Sequence, residues 1–150
     1  LSQQSELLLL DTNILVHLVR GNSLGRWLEE QFAISSRTER PLISVVTIGE
    51  ALALGKKFAW GQARIETLEA LFSELVVLDI NSEVVLRAYA EIDHRLSEMG
   101  NPIQHNDMWI AATAVAAQAH LLTTDRDFDA LHPSPLTRTW IDPRRPLQDP

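Results

Sequence analysis

Short apolar runs alternate along this chain with longer amphipathic stretches, a pattern that predicts buried strands separated by helices. Leu7, Leu8, Leu9 and Leu10 run without interruption between Glu6 and Asp11 and read as a first strand covered on both faces. Residues 14–19 continue as a helical turn, and Gly21-Asn22 breaks the pattern. Leu24, Trp27, Leu28 and Phe32 then recur at a spacing of three to four on one helix face. After Pro41 comes a β-rich run over residues 42–46, leading into a helix that opens at Thr47-Ile48-Gly49-Glu50. Residues 62–75 place Ile65, Leu68, Leu71 and Phe72 inward and Arg64, Glu66, Glu69 and Glu74 outward. A strand is expected over 76–80, followed by a long helix from Ser82 with Val85, Tyr89, Ile92, Leu96 and Met99 on one stripe. Gly100 and Pro102 supply its stop signal. A helix rich in small residues is expected over 107–119, a fourth strand over 120–123 and a fifth, at an edge, over 137–141. The whole reads as one α/β domain over residues 1–150, with a parallel sheet covered on both faces.

Composition narrows the setting. At 150 residues and 45% hydrophobic the chain suits a single core, and it shows no repeat or low-complexity block. It contains no cysteine, so disulfides and thiolate metal sites are excluded and a cytosolic setting is expected. The opening apolar run is too short for a membrane span or a signal segment, so no membrane partner is expected. Residues 1–5 are set outside the fold argument because residue 1 is Leu rather than Met, and the proline-punctuated segment 143–150 is expected to be poorly ordered. The formal net charge of −7 argues at face value against a nucleic-acid partner, an objection that weakens if a divalent cation offsets several of the acids.

Four acids stand out against this sketch. In a parallel sheet the carboxyl ends of the strands lie on one edge, where ligands bind. Asp11 follows the first strand, Glu50 lies in the first turn after the second, and Asp125 follows the fourth, so topology alone brings them to that edge. Asp107 must be brought there by the loop over residues 100–106. Each acid also has an ordinary structural reading. Asp11 is a favoured helix cap, Thr47 to Glu50 matches a capping box, Asp107 suits the positive end of a helix, and Asp125 suits a polar turn. Taken together they carry more weight, because two carboxylates near 4 Å repel by roughly 4 kcal/mol at an effective dielectric of about 20. Oxygen-only ligands select Mg²⁺ or Mn²⁺ over zinc. The five histidines form no helix-face pair of metal-ligand spacing, although His105 lies close to Asp107. Thr12, Asn13, Thr123 and Thr124 either orient these carboxylates or cap turns.

Four ordered segments carry a family resemblance: Leu10-Asp11-Thr12-Asn13, Val46-Thr47-Ile48-Gly49-Glu50, Asn106-Asp107-Met108-Trp109-Ile110-Ala111-Ala112, and Leu122-Thr123-Thr124-Asp125-Arg126-Asp127-Phe128. Over about residues 7 to 142 the chain resembles PIN-domain ribonucleases, and within them the VapC-type toxins of toxin–antitoxin pairs. The resemblance implies a three-layer α/β/α sandwich around a mainly parallel sheet of four to five strands. It implies a Mg²⁺-dependent endoribonuclease, with Mn²⁺ as a substitute. Asp11, Glu50, Asp107 and Asp125 map onto the family's acidic positions, Thr123 and Asn13 onto supporting ones, and Asp127 onto a further contributor. It also implies an RNA substrate, a cognate antitoxin and a homodimer. Lys56, Lys57, Arg64 and Arg126 are candidates for contact with RNA phosphates, although such side chains commonly only solvate a helix face. Two other readings compete: a binding module that keeps the fold without the chemistry, and an aspartyl phosphotransferase. The second needs another acid two residues after Asp11, where Asn13 stands, and no glycine-rich phosphate loop supports a nucleotide site.

Overall fold

In the computed structural model, residues 6–144 are described. Five strands form one sheet in the order β3-β2-β1-β4-β5, and every pairing in it is parallel. Strand β1 (Leu8–Leu10) sits at the centre, with Leu9 in register with Leu42 of β2 (Leu42–Ser44) on one side. On the other side Leu8 and Leu10 pair with His120 and Leu122 of β4 (His120–Thr123). The edges are β3 (Val76–Leu78) and β5 (Arg138–Trp140).

The period-two alternation of a strand splits the leucine run between two cores. Leu8 and Leu10 face one layer together with Ile43 and Leu122, packing on Ile14, Leu15, Leu28 and Leu68. That layer contains α1 (Thr12–Arg20), α2 (Ser23–Phe32), α3 (Val45–Lys57) and α4 (Gln62–Glu74). Leu9, Leu42 and Leu121 face the opposite layer, packing on Ile92, Leu96, Ile110 and Ala111 from α5 (Glu83–Met99) and α6 (His105–Ala117). The small residues of α6 let α5 approach closely, and Tyr89 stacks on Trp109 with ring centroids 4.0 Å apart. The architecture is thus the expected three-layer α/β/α sandwich. The fifth strand, expected at an edge, is there.

Several boundaries differ from the sequence reading, and each difference has a local cause. Val45 and Val46 are helical, because the Ser44 hydroxyl accepts the Val46 N–H at 3.1 Å and starts α3 two residues before Thr47. The capping box expected at Thr47 to Glu50 therefore does not form, and Glu50 sits in the second turn of α3 rather than the first. Strand β3 stops at Leu78, where the Asp79 carboxylate accepts the Asn81 N–H at 2.9 Å and turns the chain toward α5. Helix α6 opens at His105, two residues early, and ends at Ala117 with Gln118 in a left-handed conformation. Gly21 and Gly100 end α1 and α5 at φ of 61° and 66°, as C-terminal glycines do. Of the tail expected to be poorly ordered, residues 145–150 lie outside the described residues, as do residues 1–5. No described helix is long and apolar enough to cross a membrane.

Candidate functional site

The sheet order reverses between β1 and β4, so a crevice opens beyond their carboxyl ends, between the loops that leave them on opposite sides. Asp11 stands at the end of β1, and its backbone N–H extends the ladder to the Leu122 carbonyl at 3.0 Å. Its carboxylate does two things at once. Oδ1 accepts the Thr12 N–H at 2.8 Å, capping α1, and Oδ2 accepts the Thr123 hydroxyl from the end of β4 at 2.7 Å. The cap reading and the site reading of Asp11 are therefore compatible. Thr123 also accepts the Asp125 N–H at 2.9 Å, and Asp125 Oδ1 accepts the Asp127 N–H at 2.8 Å. One hydroxyl thus fixes Asp11 and the loop that carries Asp125 and Asp127.

Glu50 reaches the crevice from α3. Oε1 accepts the Thr12 hydroxyl at 2.7 Å, Oε2 accepts the Asn106 amide at 3.3 Å, and Thr47 Oγ1 lies 3.1 Å from Thr12 Oγ1. Asp107 arrives in the first turn of α6, where the loop over residues 100–104 has carried the positive end of that helix to the sheet edge. Asp11, Thr12, Asn13, Glu50, Lys57, Gln104, Asp107, Asp125 and Asp127 all line one cleft of about 450 Å³.

Within that cleft the tightest group is Asp107, Asp125 and Asp127, each offering one carboxylate oxygen within 4.8 Å of the others. Asp127 is closer to the centre than its supporting role implied. Asp11 and Glu50 stand around this trio with their carboxylates already fixed by hydroxyl and amide donors. Lys57 is the one cation candidate that lines the cleft. Lys56 is exposed outside the lining, Arg64 lies over the Trp60 ring, and Arg126 lies 3.7 Å over the Trp140 ring while pairing with Asp129 at 3.2 Å. Three polar groups were not singled out as site residues from sequence: Thr47, Gln104 and the Asn106 side chain. Thr47 and Asn106 carried a signal, as members of the segments around Glu50 and Asp107, and Gln104 carried none.

The electrostatics fit a bound cation. Asp11 is 4% exposed, and burial pushes its carboxyl up to about 6, against the opposing pull of its two hydrogen bonds. Asp107 is pushed up to about 7, first by burial and then by the charges of Asp11, Asp125, Asp127 and Glu50. Asp127 is raised by burial and by Asp125. Carboxylates held in this protonation conflict at neutral pH are the arrangement that a divalent cation relieves, and an all-oxygen donor set fits a hard one.

Fold and cleft together define a doubly wound α/β domain with a carboxylate centre at its switch point. A family model described as PIN domain matches residues 8–132, and the chain belongs to the PIN-domain family. Its relatives include "Ribonuclease VapC5" of Mycobacterium tuberculosis, 30% identical over 126 residues that cover 81% of this chain and 85% of that protein. "Ribonuclease VapC1" of Haemophilus influenzae (strain R2866) is 29% identical over 119 residues, 77% of this chain and 84% of the relative. Among solved structures, VapBC-5 from M. tuberculosis, described as a member of the VapBC family of toxin-antitoxin systems, aligns with a TM-score of 0.63 at 27% identity. It covers 89% of this chain and 95% of that one.

Proposed function

We propose that this protein is a Mg²⁺- or Mn²⁺-dependent endoribonuclease, the toxin of a toxin–antitoxin pair, acting in the cytoplasm as a homodimer and silenced by a cognate antitoxin. The observation that carries the reading is the convergence of Asp11, Glu50, Asp107, Asp125 and Asp127 on one cleft at the sheet edge, in a chain whose relatives are named ribonucleases. Asp107, Asp125 and Asp127 would hold the cation, with Asp11 completing the set. The chemistry supplied by a divalent cation bound there is activation of a water and neutralisation of charge on the leaving oxygen of an RNA phosphodiester.

The chain's own residues prepare that event. Thr123 and the Thr12 N–H hold both Asp11 oxygens in place, so this carboxylate needs no reorganisation. Thr12 and Asn106 hold Glu50 facing the cleft, where it can accept a proton from an attacking water. Lys57 presents positive charge to a substrate phosphate at the rim. No side chain is required as a covalent nucleophile. The partner protein is supported by the toxin-antitoxin description of the VapBC-5 structure.

The test is cleavage of a mixed tRNA, rRNA and mRNA panel with Mg²⁺ or Mn²⁺, comparing the chain with Asp11→Asn and Asp125→Asn. Cleavage that requires the metal and disappears in both variants is expected. Metal binding without cleavage points to a substrate outside the panel. Neither binding nor cleavage refutes the proposal and leaves a binding module of the same fold.

A further inference from the structure

Beside the acidic cleft, the described residues carry a second concentration of chemistry that packing does not account for. Phe58 closes the C-terminus of α3 and is 44% exposed. The Arg20 guanidinium, from the last residue of α1, lies over its ring at 4.6 Å from the centroid. Trp60 follows with ring centroids 6.1 Å apart, and Arg64 from the first turn of α4 lies over the indole at 5.8 Å. Lys56 and Lys57 occupy the last turn of α3, directly before Phe58. Two rings and two guanidinium groups therefore share one surface, and two lysines precede it directly in the chain.

Trp60 gives that surface a fixed base. It packs against the core, and a Cβ added at Gly55 would come within 3.3 Å of its ring and 3.1 Å of Ile65 Cδ1. Charge makes the patch informative. The chain carries 20 acids against 13 lysines and arginines, yet the ion pairs among the described residues involve none of these four cations. The patch is also continuous with the acidic cleft, because Lys57 lines the cleft with Ala53 and Leu54 of the same helix. Phe58 follows Lys57 directly at the end of α3, so the aromatic pair begins one residue beyond the cleft lining.

We infer that Phe58 and Trp60, with Arg20, Lys57 and Arg64, form a stacking subsite for an unpaired RNA nucleotide adjoining the phosphate held in the cleft. The inference rests on the ribonuclease reading. Unpaired bases stack on aromatic faces and on guanidinium planes while cations track the phosphates, and a duplex keeps its bases out of reach of such a platform. The subsite therefore selects single-stranded segments and loops on the α3 side of the scissile bond.

The test separates binding from cleavage. A labelled single strand of roughly ten nucleotides is titrated by fluorescence anisotropy, in EDTA, with the full chain carrying Asp125→Asn. Adding Phe58→Ala is expected to weaken binding about tenfold, and Phe58→Tyr to restore it. Arg20→Gln is expected to reduce the slope of log affinity against log salt by about 0.7. The same strand annealed to its complement is expected to bind more weakly than alone. Equal affinity of Phe58→Ala and its parent, equal affinity for duplex, or no RNA binding by the parent each overturns the subsite. Unchanged RNA affinity with loss of antitoxin co-purification in Phe58→Ala would instead make the patch a protein interface, which also overturns it. None of these outcomes touches the ribonuclease reading, which stands or falls on metal-dependent cleavage.

Discussion

Replacing Asp107 by Asn is expected to stabilise the metal-free protein at alkaline pH while removing its response to metal. In the native state the Asp107 carboxyl titrates near 7 instead of 3.8, a displacement of about 3 pH units caused by burial and four neighbouring carboxylates. At about 1.4 kcal/mol per unit, the full displacement would correspond to roughly 4 kcal/mol. Because the side chain is only half-buried, solvent screening reduces this to about 1–2 kcal/mol. Asn also forgoes a favourable charge in the first turn of α6, about 0.5 kcal/mol, so the net gain is on the order of 1 kcal/mol, or roughly 2–4 °C in Tm.

The sign follows from linkage. A native pKa raised above the unfolded value means that the folded state binds the extra proton between about pH 4 and 7, so stability falls as pH rises through that window. The penalty is absent below about pH 4 and complete above about pH 7. Thermal unfolding followed by circular dichroism in EDTA at pH 4 and pH 8 reads the effect directly. Asp107→Asn should have the higher Tm at pH 8 only, and the parent alone should gain Tm when Mg²⁺ is added at pH 8. A lower Tm for Asp107→Asn at pH 8, or a shift equal at both pH values, would show that the Asp107 charge does not destabilise the folded state.

Other outcomes follow from the same geometry. Thr123→Val removes the hydroxyl that donates to Asp11 Oδ2 and accepts from Asp125 N. It should cost about 1.5–3 kcal/mol in chemical unfolding and lower cleavage with little change in RNA affinity. Gly25→Ala forces a Cβ to 2.1 Å from the His17 carbonyl oxygen, where α2 crosses α1. Since backbone must move, at least about 2 kcal/mol should be lost in urea unfolding. Affinity for Mn²⁺, followed by calorimetry, should fall as pH drops below about 7, because Asp107 and then Asp11 take up protons that compete with the cation. Asn106→Ala frees one Glu50 oxygen and should lower the cleavage rate several-fold without altering Tm by more than roughly 1–2 °C.

Strand topology made Asp11, Glu50 and Asp125 legible in the sequence. A residue that follows a parallel strand, or sits early in the next helix, needs no tertiary information to be assigned to the carboxyl edge. Asp107 precedes a helix that feeds a strand, so its position depends on the path of residues 100–104, and only the family resemblance pointed to it. The central place of Asp127 depends on the Asp125 side chain capping its N–H, a local geometry that sequence patterning does not encode. The β-branched pair Val45-Val46 favours a strand by propensity, which the Ser44 cap overrides. Charge alone does not say where a cation points: Arg126 lies over the Trp140 indole and pairs with Asp129, and Arg64 lies over Trp60, outside the lining of the acidic cleft. Phe58 gave no sequence signal, because its exposure follows from its place at the end of α3.

The carboxylates of the cleft are proposed to form a divalent-cation site that serves RNA cleavage. Its most direct test is calorimetric titration of Mn²⁺ into the antitoxin-free protein at pH 7.5, beside Asp107→Asn, Asp125→Asn and the distant Glu29→Gln. Saturable binding is expected in the parent and in Glu29→Gln, with its loss in both cleft variants. Equal binding in all four proteins, or none in the parent, would rule out the cation site.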